Sequence, residues 1–442
     1  MKYLHRKIRD YLHTYIRPGD RVLEIDPIYR LEQLAGDGAY RHCRTGEVPE
    51  ALPAATYKPE GAAGWQPDYL LANGAIHYWT DIQAQLAALA AEHAGKDTRL
   101  LIIYYSQLWR PLVRLVTWLG LRAVRREMNW VAPEDLDSFS RISGWELLTD
   151  EQKVLIPIAL PFLSTWVNRF IAPLPVIRAA CLLRIAVLRR KMDRWEGRQP
   201  SVSVLIPARN EAGNIRAALE RVPLLSPADE LIFVEGNSTD DTWETIVTLT
   251  RTEKYQAKWG GRIRIAQQDG KGKGDAVRKG FGLASGDILL ILDADLTVAP
   301  EDLPKFYRAL VEDAGEFVNG SRLVYPLEKR AMRFFNIIGN KFFAVAFSYV
   351  LGVRFKDTLC GTKVLSRSHY QKLAAHREYF GDFDPFGDFD LIFGARRMGL
   401  RMAEVPIRYR ERTYGYTNIQ RWRHGVILLR MLLFAAGKLR FT

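Results

Sequence analysis

Five consecutive apolar residues, Ile288-Leu289-Leu290-Ile291-Leu292, run directly into Asp293-Ala294-Asp295. An apolar run without alternation reads as a strand buried on both faces, as in the middle of a parallel sheet covered by helices. The C-terminal half is thereby held to an α/β architecture. The run also places two carboxylates at the carboxyl end of a central strand, the edge where open α/β sheets bind ligands. If the chain stays extended through Asp295, both side chains point to one side. Carboxylates that close repel unless one takes a proton or a cation lies between them. A Mg2+ or Mn2+ ion bridging Asp293 and Asp295 to a diphosphate meets that need, because hard divalent ions take one or two carboxylates plus phosphate oxygens. The competing reading is that the pair caps a helix starting near Pro300-Glu301-Asp302.

At 442 residues the chain exceeds what one core usually holds, so two domains are expected. With 48% hydrophobic and 26% charged residues, it has the composition of a globular protein. The net charge of +13 calls for an acidic partner: a diphosphate, an anionic lipid surface or nucleic acid. Cys43, Cys181 and Cys360 are odd in number and far apart, which suggests neither a disulfide framework nor a zinc site and fits a reducing cytoplasm. The opening Met1-Lys2-Tyr3-Leu4-His5-Arg6 does not read as a secretory signal.

Residues 1–150 read as a first α/β domain. Arg21-Val22-Leu23-Glu24-Ile25-Asp26, Tyr69-Leu70-Leu71-Ala72 and Leu100 to Tyr105 are expected strands, with a helix between Asp81 and His93. The first strand and its following loop resemble class I S-adenosylmethionine methyltransferases, and the resemblance implies a Rossmann-like domain. The sequence departs from that family at the cofactor loop, Asp26-Pro27-Ile28-Tyr29-Arg30-Leu31-Glu32, which has no glycine to let the backbone approach a ligand. The expectation is a methyltransferase-like domain with a degenerate cofactor loop.

Residues 151–199 are apolar but broken by Pro157, Pro161, Pro173 and Pro175 and by arginines, so no uncharged stretch is long enough to span a bilayer. From Val176 to Arg190 apolar residues alternate with arginines. Two readings stay open: an interfacial helix on an anionic membrane, or a helix packed between domains with a solvated basic face.

The module at 200–420 then follows. Ser201 to Pro207, Leu231 to Val234 and Arg262 to Ala266 are expected strands preceding the Ile288 run, with Asn214 a candidate cap for the helix after the first. Lys271-Gly272-Lys273-Gly274 opens a helix with small residues and lysines, suited to phosphate. Pro207-x-x-Asn210-Glu211, Glu235-Gly236-Asn237-Ser238-Thr239-Asp240, Gly272-Lys273-Gly274-x-Ala276, Asp293-x-Asp295 and Gly320-Ser321-Arg322 occur in the order and approximate spacing of one family. This half resembles inverting family 2 glycosyltransferases of the GT-A fold, nearest in pattern to dolichol-phosphate mannosyltransferase and related polyprenyl-phosphate sugar transferases.

The resemblance implies that Pro207, Arg209, Glu211, Glu235, Asn237 and Ala294 surround the nucleotide of a UDP- or GDP-type sugar, with Lys273 near its phosphates. Asp293 and Asp295 would hold the metal, Arg322 would face the diphosphate or donor sugar, and Arg412 in Arg408-Tyr409-Arg410-Glu411-Arg412 would clamp the diphosphate. Asp388 aligns with the aspartate that serves hydroxyl acceptors as general base, while capping in an acidic loop is its alternative. Two departures stand out: Glu235-Gly236 replaces the usual paired aspartates, and Thr297 stands where a glutamine is expected near the metal.

Lys341-Phe342-Phe343, with the basic aromatic stretch from Lys329, and Arg421-Trp422-Arg423, leading into an amphipathic helix over 421–442, have a membrane-interface composition; packing against the sheet is the alternative. The leading expectation is a metal-dependent glycosyltransferase at the cytoplasmic membrane face, acting on a polyprenyl phosphate or lipid-linked saccharide. A bifunctional glycosyltransferase and methyltransferase is the second expectation. A nucleic-acid-binding protein is a third, but no zinc-finger, helix-turn-helix or RNA-recognition signature supports it.

Overall fold

The computed structural model describes residues 2–27, 40–43, 65–121, 129–325, 334–377, 389–412, 414–415 and 421–441. The chain divides into two compact units, Met1–Met192 with Gly437–Thr442, and Asp193–Ala436.

The first unit is built on six strands: β1 (Val22–Ile25), β2 (Tyr40–Cys43), β3 (Tyr69–Asn73), β4 (Arg99–Tyr105), β5 (Trp145–Lys153) and β6 (Leu183–Arg190). They lie in the order β2-β1-β3-β4-β6-β5. β1 to β4 are mutually parallel, and β6 runs antiparallel to both β4 and β5. The helices are α1 (Lys2–Leu12), α2 (Ile82–Glu92), α3 (Arg110–Trp118), α4 (Pro133–Ile142) and the single turn α5 (Leu163–Trp166). Unbroken apolar strands form here because both sheet faces are covered. Leu70, Ala72, Leu100 and Ile102 pack on one side with Leu86 of α2, while Tyr69, Leu71, Leu101 and Ile103 pack on the other with Ile8 and Leu12 of α1. The Asp81 side chain accepts from the Ala84 amide and starts α2, as its sequence suggests.

One expectation fails in this unit. The stretch from Val176 to Arg190 does not form an interfacial or connecting helix: a short turn over Ile177–Ala180 leads into β6, which is almost wholly buried between β4 and β5. Between Arg184 and Arg189 lies the uninterrupted apolar run Ile185 to Leu188, which a strand inside a sheet buries on both faces. Arg184 pairs with Asp150, and Arg189 with Glu146, both on β5. The unit therefore continues to Met192 instead of ending near residue 150. Ile28 and Tyr29 of the cofactor-loop argument lie outside the described residues.

The second unit carries β7 (Val202–Ala208), β8 (Glu230–Glu235), β9 (Ile263–Gln267), β10 (Ile288–Ile291), β11 (Phe317–Ser321), β12 (Lys363–Ser366) and β13 (Met402–Pro406). Its helices are α6 (Ala212–Arg221), α7 (Thr242–Thr250), α8 (Glu253–Trp259), α9 (Lys273–Leu283), α10 (Leu303–Val311), α11 (Phe334–Leu351), α12 (Arg367–Ala374), α13 (Phe389–Arg397) and α14 (Arg421–Ala435). The seven strands are ordered β13-β11-β12-β10-β7-β8-β9, with β12 antiparallel to its neighbours β10 and β11. Parallel strands put the ends of β7, β8, β9 and β10 on one edge. Because β12 runs the other way, its first residue, Lys363, reaches that same edge.

Helix α9 fits closely on β7. A Cβ at Gly280 would collide with the side chain of Leu205, so the glycine sets how near the helix lies to the sheet. Gly280→Ala is expected to lower the unfolding free energy by about 1–3 kcal/mol, the usual cost of overpacking a core. Denaturant titration checks this; an unchanged midpoint would show that α9 is free to move away.

Candidate active site

The carboxyl edge of β10 does not stay extended. The strand ends at Ile291, the Leu296 amide donates to the Asp293 carbonyl at 3.1 Å, and Leu296 takes a left-handed φ of 51°. Asp293 and Asp295 therefore sit on a turn instead of on one face of a strand. They do not cap the following helix either: the turn at Pro300–Asp302 is entered through Ala299, with no side-chain cap.

What the turn does is bring each carboxylate to a different cation. Lys273, the first residue of α9, holds Nζ 2.6 Å from Asp293 Oδ1. Arg412 holds Nη2 2.7 Å from Asp295 Oδ2 and Nη1 2.6 Å from Glu211 Oε1. Burial alone would raise the Asp293 carboxyl, but Lys273, followed by the nearby Lys363 and Arg322, outweighs it and holds the group below the usual range. Burial dominates at Glu211 and keeps its pKa raised despite Arg412.

Arg412 is carried by the segment after β13, which pairs back onto the turn. Tyr409 bridges Val298, and the Arg410 amide donates to the Thr297 carbonyl at 3.0 Å. Thr297 also donates through its amide and its hydroxyl to Asp295 Oδ1, at 3.1 and 2.8 Å. Threonine at that position thus fixes the Asp295 carboxylate. Further along, a Cβ on Gly213 in α6 would strike the Tyr414 ring, so glycine there gives the segment room against the helix.

The nucleotide-side residues gather at the ends of β7 and β8. Pro207 lies in β7, Arg209 just beyond it, and Ala294 in the carboxylate turn. Glu211 is buried, and its Oε2 accepts from Asn214 Nδ2 at 2.7 Å. Asn214 is accordingly not the helix cap: α6 begins at Ala212, and Asn214 braces Glu211 from inside the first turn. Glu235 is buried, accepting from the Ser238 amide and from Gln267. Asn237, at a φ of 56°, reaches Gly270 O at 3.2 Å and ties this turn to the loop before Lys273. The glycine in Glu235-Gly236 has a packing reason, since a Cβ there would lie 3.1 Å from Arg209 Cβ.

Arg322 follows β11 and is forked onto Asp357, with Nε 2.6 Å from Oδ2 and Nη2 2.9 Å from Oδ1. Its guanidinium lies over the Tyr409 ring at 5.1 Å. Desolvation opposes the charge on Arg322, but Asp357 more than offsets it and holds the pKa well above the ordinary arginine value. Sequence reading missed Asp357, Lys363 and Gly361. A Cβ at Gly361 would collide with Asp293 Oδ2 and Lys273 Nζ, so this glycine leaves space for the ion pair. The only sequence signals were a lysine opening an apolar strand and a glycine after Cys360, both weak alone. Asp388 lies outside the described residues.

An α/β unit with its charged groups collected at one sheet edge is the class of protein defined here. Residues 203–373, within the second unit, match the family described as Glycosyl transferase family 2. Among curated relatives, the dolichol-phosphate mannosyltransferase of Pyrococcus furiosus is 37% identical over 125 residues, covering 28% of this chain and 33% of the relative. That of Saccharomyces cerevisiae is 36% identical over 126 residues, 27% of this chain and 44% of the relative. The undecaprenyl-phosphate 4-deoxy-4-formamido-L-arabinose transferase of Yersinia pestis is 26% identical over 220 residues, 48% and 61%. The chain spans less than two thirds of the length of each. Glucosyl-3-phosphoglycerate synthase of Mycobacterium tuberculosis matches distantly, with 20% identity and a TM-score of 0.39 over 54% of this chain and 80% of that one.

Removing Asp357 leaves a buried guanidinium without its partner. Asp357→Ala is expected to cost about 3–5 kcal/mol of stability, as breaking a buried ion pair from one side does. Thermal or urea unfolding reads it; a loss under about 1 kcal/mol would show that Arg322 is solvated from the site.

Proposed function

We propose that this protein is a metal-dependent inverting glycosyltransferase of the GT-A type. It moves a sugar from a UDP- or GDP-type donor to a polyprenyl phosphate or a lipid-linked saccharide at the cytoplasmic face of the membrane. The observation that carries this reading is the pair Asp293 and Asp295, the first held by Lys273 and the second by Arg412, at the carboxyl edge of the sheet in a segment matching family 2.

The donor set fits a hard divalent ion: two carboxylates one residue apart, with phosphate oxygens completing the coordination. Asp293 and Asp295 would hold Mg2+ or Mn2+, which when bound supplies positive charge to the diphosphate leaving group. Lys273 and Arg412 are placed to give up their carboxylates to the metal and turn to the phosphates, where the arginine fork binds bidentately. Pro207, Arg209, Glu211, Glu235, Asn237 and Ala294 form the nucleotide side, and Arg322, held by Asp357, faces the donor. A phosphate acceptor is already anionic and needs no base, whereas a hydroxyl acceptor would use Asp388.

The lipid side of the reading rests on α11 and α14, which pack side by side. Phe347 and Leu351 of α11 and Met431 and Ala435 of α14 are buried, yet Phe342, Val345, Leu429 and Leu433 are exposed on the same helices. The two helices thus combine packing on one face with an exposed apolar surface on the other, and that surface supports the lipid reading. No helix among the described residues is long and apolar enough to cross a membrane, so contact would be interfacial. The first unit serves as a Rossmann-like scaffold of methyltransferase type, supported by its parallel strands and the strand-order switch beside β1. The bifunctional reading is not favoured: the stretch Asp26 to Glu32 after β1 has no glycine to let the backbone approach a cofactor.

Asp295→Ala should reduce donor turnover by roughly a hundredfold or more, as loss of an electrostatic group acting on the transition state does. Its circular dichroism spectrum should match the wild type. Near-normal turnover in a folded variant would contradict the metal site.

A further inference from the structure

The first unit carries an apolar surface that the transferase reading does not use. Helix α3 has no buried residue. Leu108, Leu112, Leu115 and Leu119 recur at helical spacing on one stripe and are all exposed, and Trp118 beside them is 81% exposed. An amphipathic helix normally buries such a stripe; this one turns it to the outside.

The segment between β5 and β6 repeats the arrangement. Two of its polar side chains, Asn168 and Ser164, face inward. Buried Asn168 accepts from the Leu155 and Ile156 amides through Oδ1 and donates through Nδ2 to Ile156 O and Tyr3 Oη. Buried Ser164 donates to Ile158 O and accepts from the Leu160 amide. Its large apolar residues face outward: Phe162 is 92% exposed, Trp166 54% and Val176 86%. Phe162 is held at a φ of 58°, an outlier for a bulky residue, by a loop otherwise pinned from inside. The two elements adjoin, because Trp109 Nε1 donates to Ala180 O and the Ser106 amide donates to Leu182 O, both at 2.7 Å.

Charge identifies the occupant. Residues 106–121 and 154–182 contain no aspartate or glutamate, and their only charged side chains are Arg110, Arg114, Arg169 and Arg178. Protruding tryptophan, phenylalanine and leucine among arginines alone match the boundary between acyl chains and anionic headgroups. We propose that α3 and the 156–178 segment form a monotopic anchor by which the first unit inserts into an anionic lipid bilayer. The surface belongs to a different unit from the transferase site, and the proposal stands independently of the reading of that site.

Flotation of the full chain with vesicles of equal parts phosphatidylglycerol and phosphatidylcholine tests it. Wild type should float with these vesicles at least about tenfold more than with phosphatidylcholine alone, and salt should weaken the binding. The triple variant Trp118→Ser/Phe162→Ser/Trp166→Ser should lose at least about tenfold of the flotation, with Trp118→Ser alone in between. The single variant lies on a helix with no buried residue, so its folding is not in question. Wild type that stays unbound, or variants that float like wild type, would overturn the anchor. So would a lipid-free wild-type dimer that the triple variant turns into a monomer, since the surface would then join two copies of this chain. Nucleotide binding by the same samples is a separate readout, so failure of the anchor leaves the transferase reading testable by itself.

Discussion

The second unit depends on one electrostatic problem, two carboxylates brought within a residue of each other at the end of a buried strand. Coulomb repulsion there is met by pairing each with a different cation: Lys273 takes Asp293, and Arg412 takes Asp295 together with Glu211. The elements that deliver those cations are positioned by unrelated means. Lys273 stands where α9 presses onto β7 through Gly280, and Arg412 arrives on a segment laced to Thr297 and Val298. Compensated this way, neither carboxylate is left without a cation beside it.

Space around those charges is kept by glycine. Gly361 makes room for the Lys273 and Asp293 pair, Gly236 for Arg209, and Gly213 for Tyr414. A second buried pair, Arg322 with Asp357, stiffens the same edge under the Tyr409 ring. The first unit poses the opposite problem: over its apolar core, α3 and the segment between β5 and β6 leave large apolar side chains turned outward.

The sheet of the second unit was legible because Ile288 to Leu292, Leu231 to Val234 and Val204 to Pro207 are unbroken apolar runs, and such runs have few alternatives. The residues that collect at its edge were legible through their order along the chain. Three features were not. The turn at Asp293 depends on a left-handed Leu296, which no propensity announces. Asp357 is selected by Arg322 across 35 residues, and a lone aspartate carries no local mark. The run from Val176 to Arg190 misled because arginine every few residues imitates an amphipathic helix, whereas Asp150 and Glu146 on the neighbouring strand neutralise Arg184 and Arg189 inside a sheet. Long-range charge pairing, not local pattern, decided that segment.

The central claim is that the edge bearing Asp293 and Asp295 binds a nucleoside diphosphate together with a divalent ion. Calorimetric titration of the full chain with UDP and with GDP, each with and without Mn2+, tests it most directly. The account predicts saturable binding of one of the two nucleotides that requires the metal. Binding of neither, or equal binding with and without Mn2+, would contradict it.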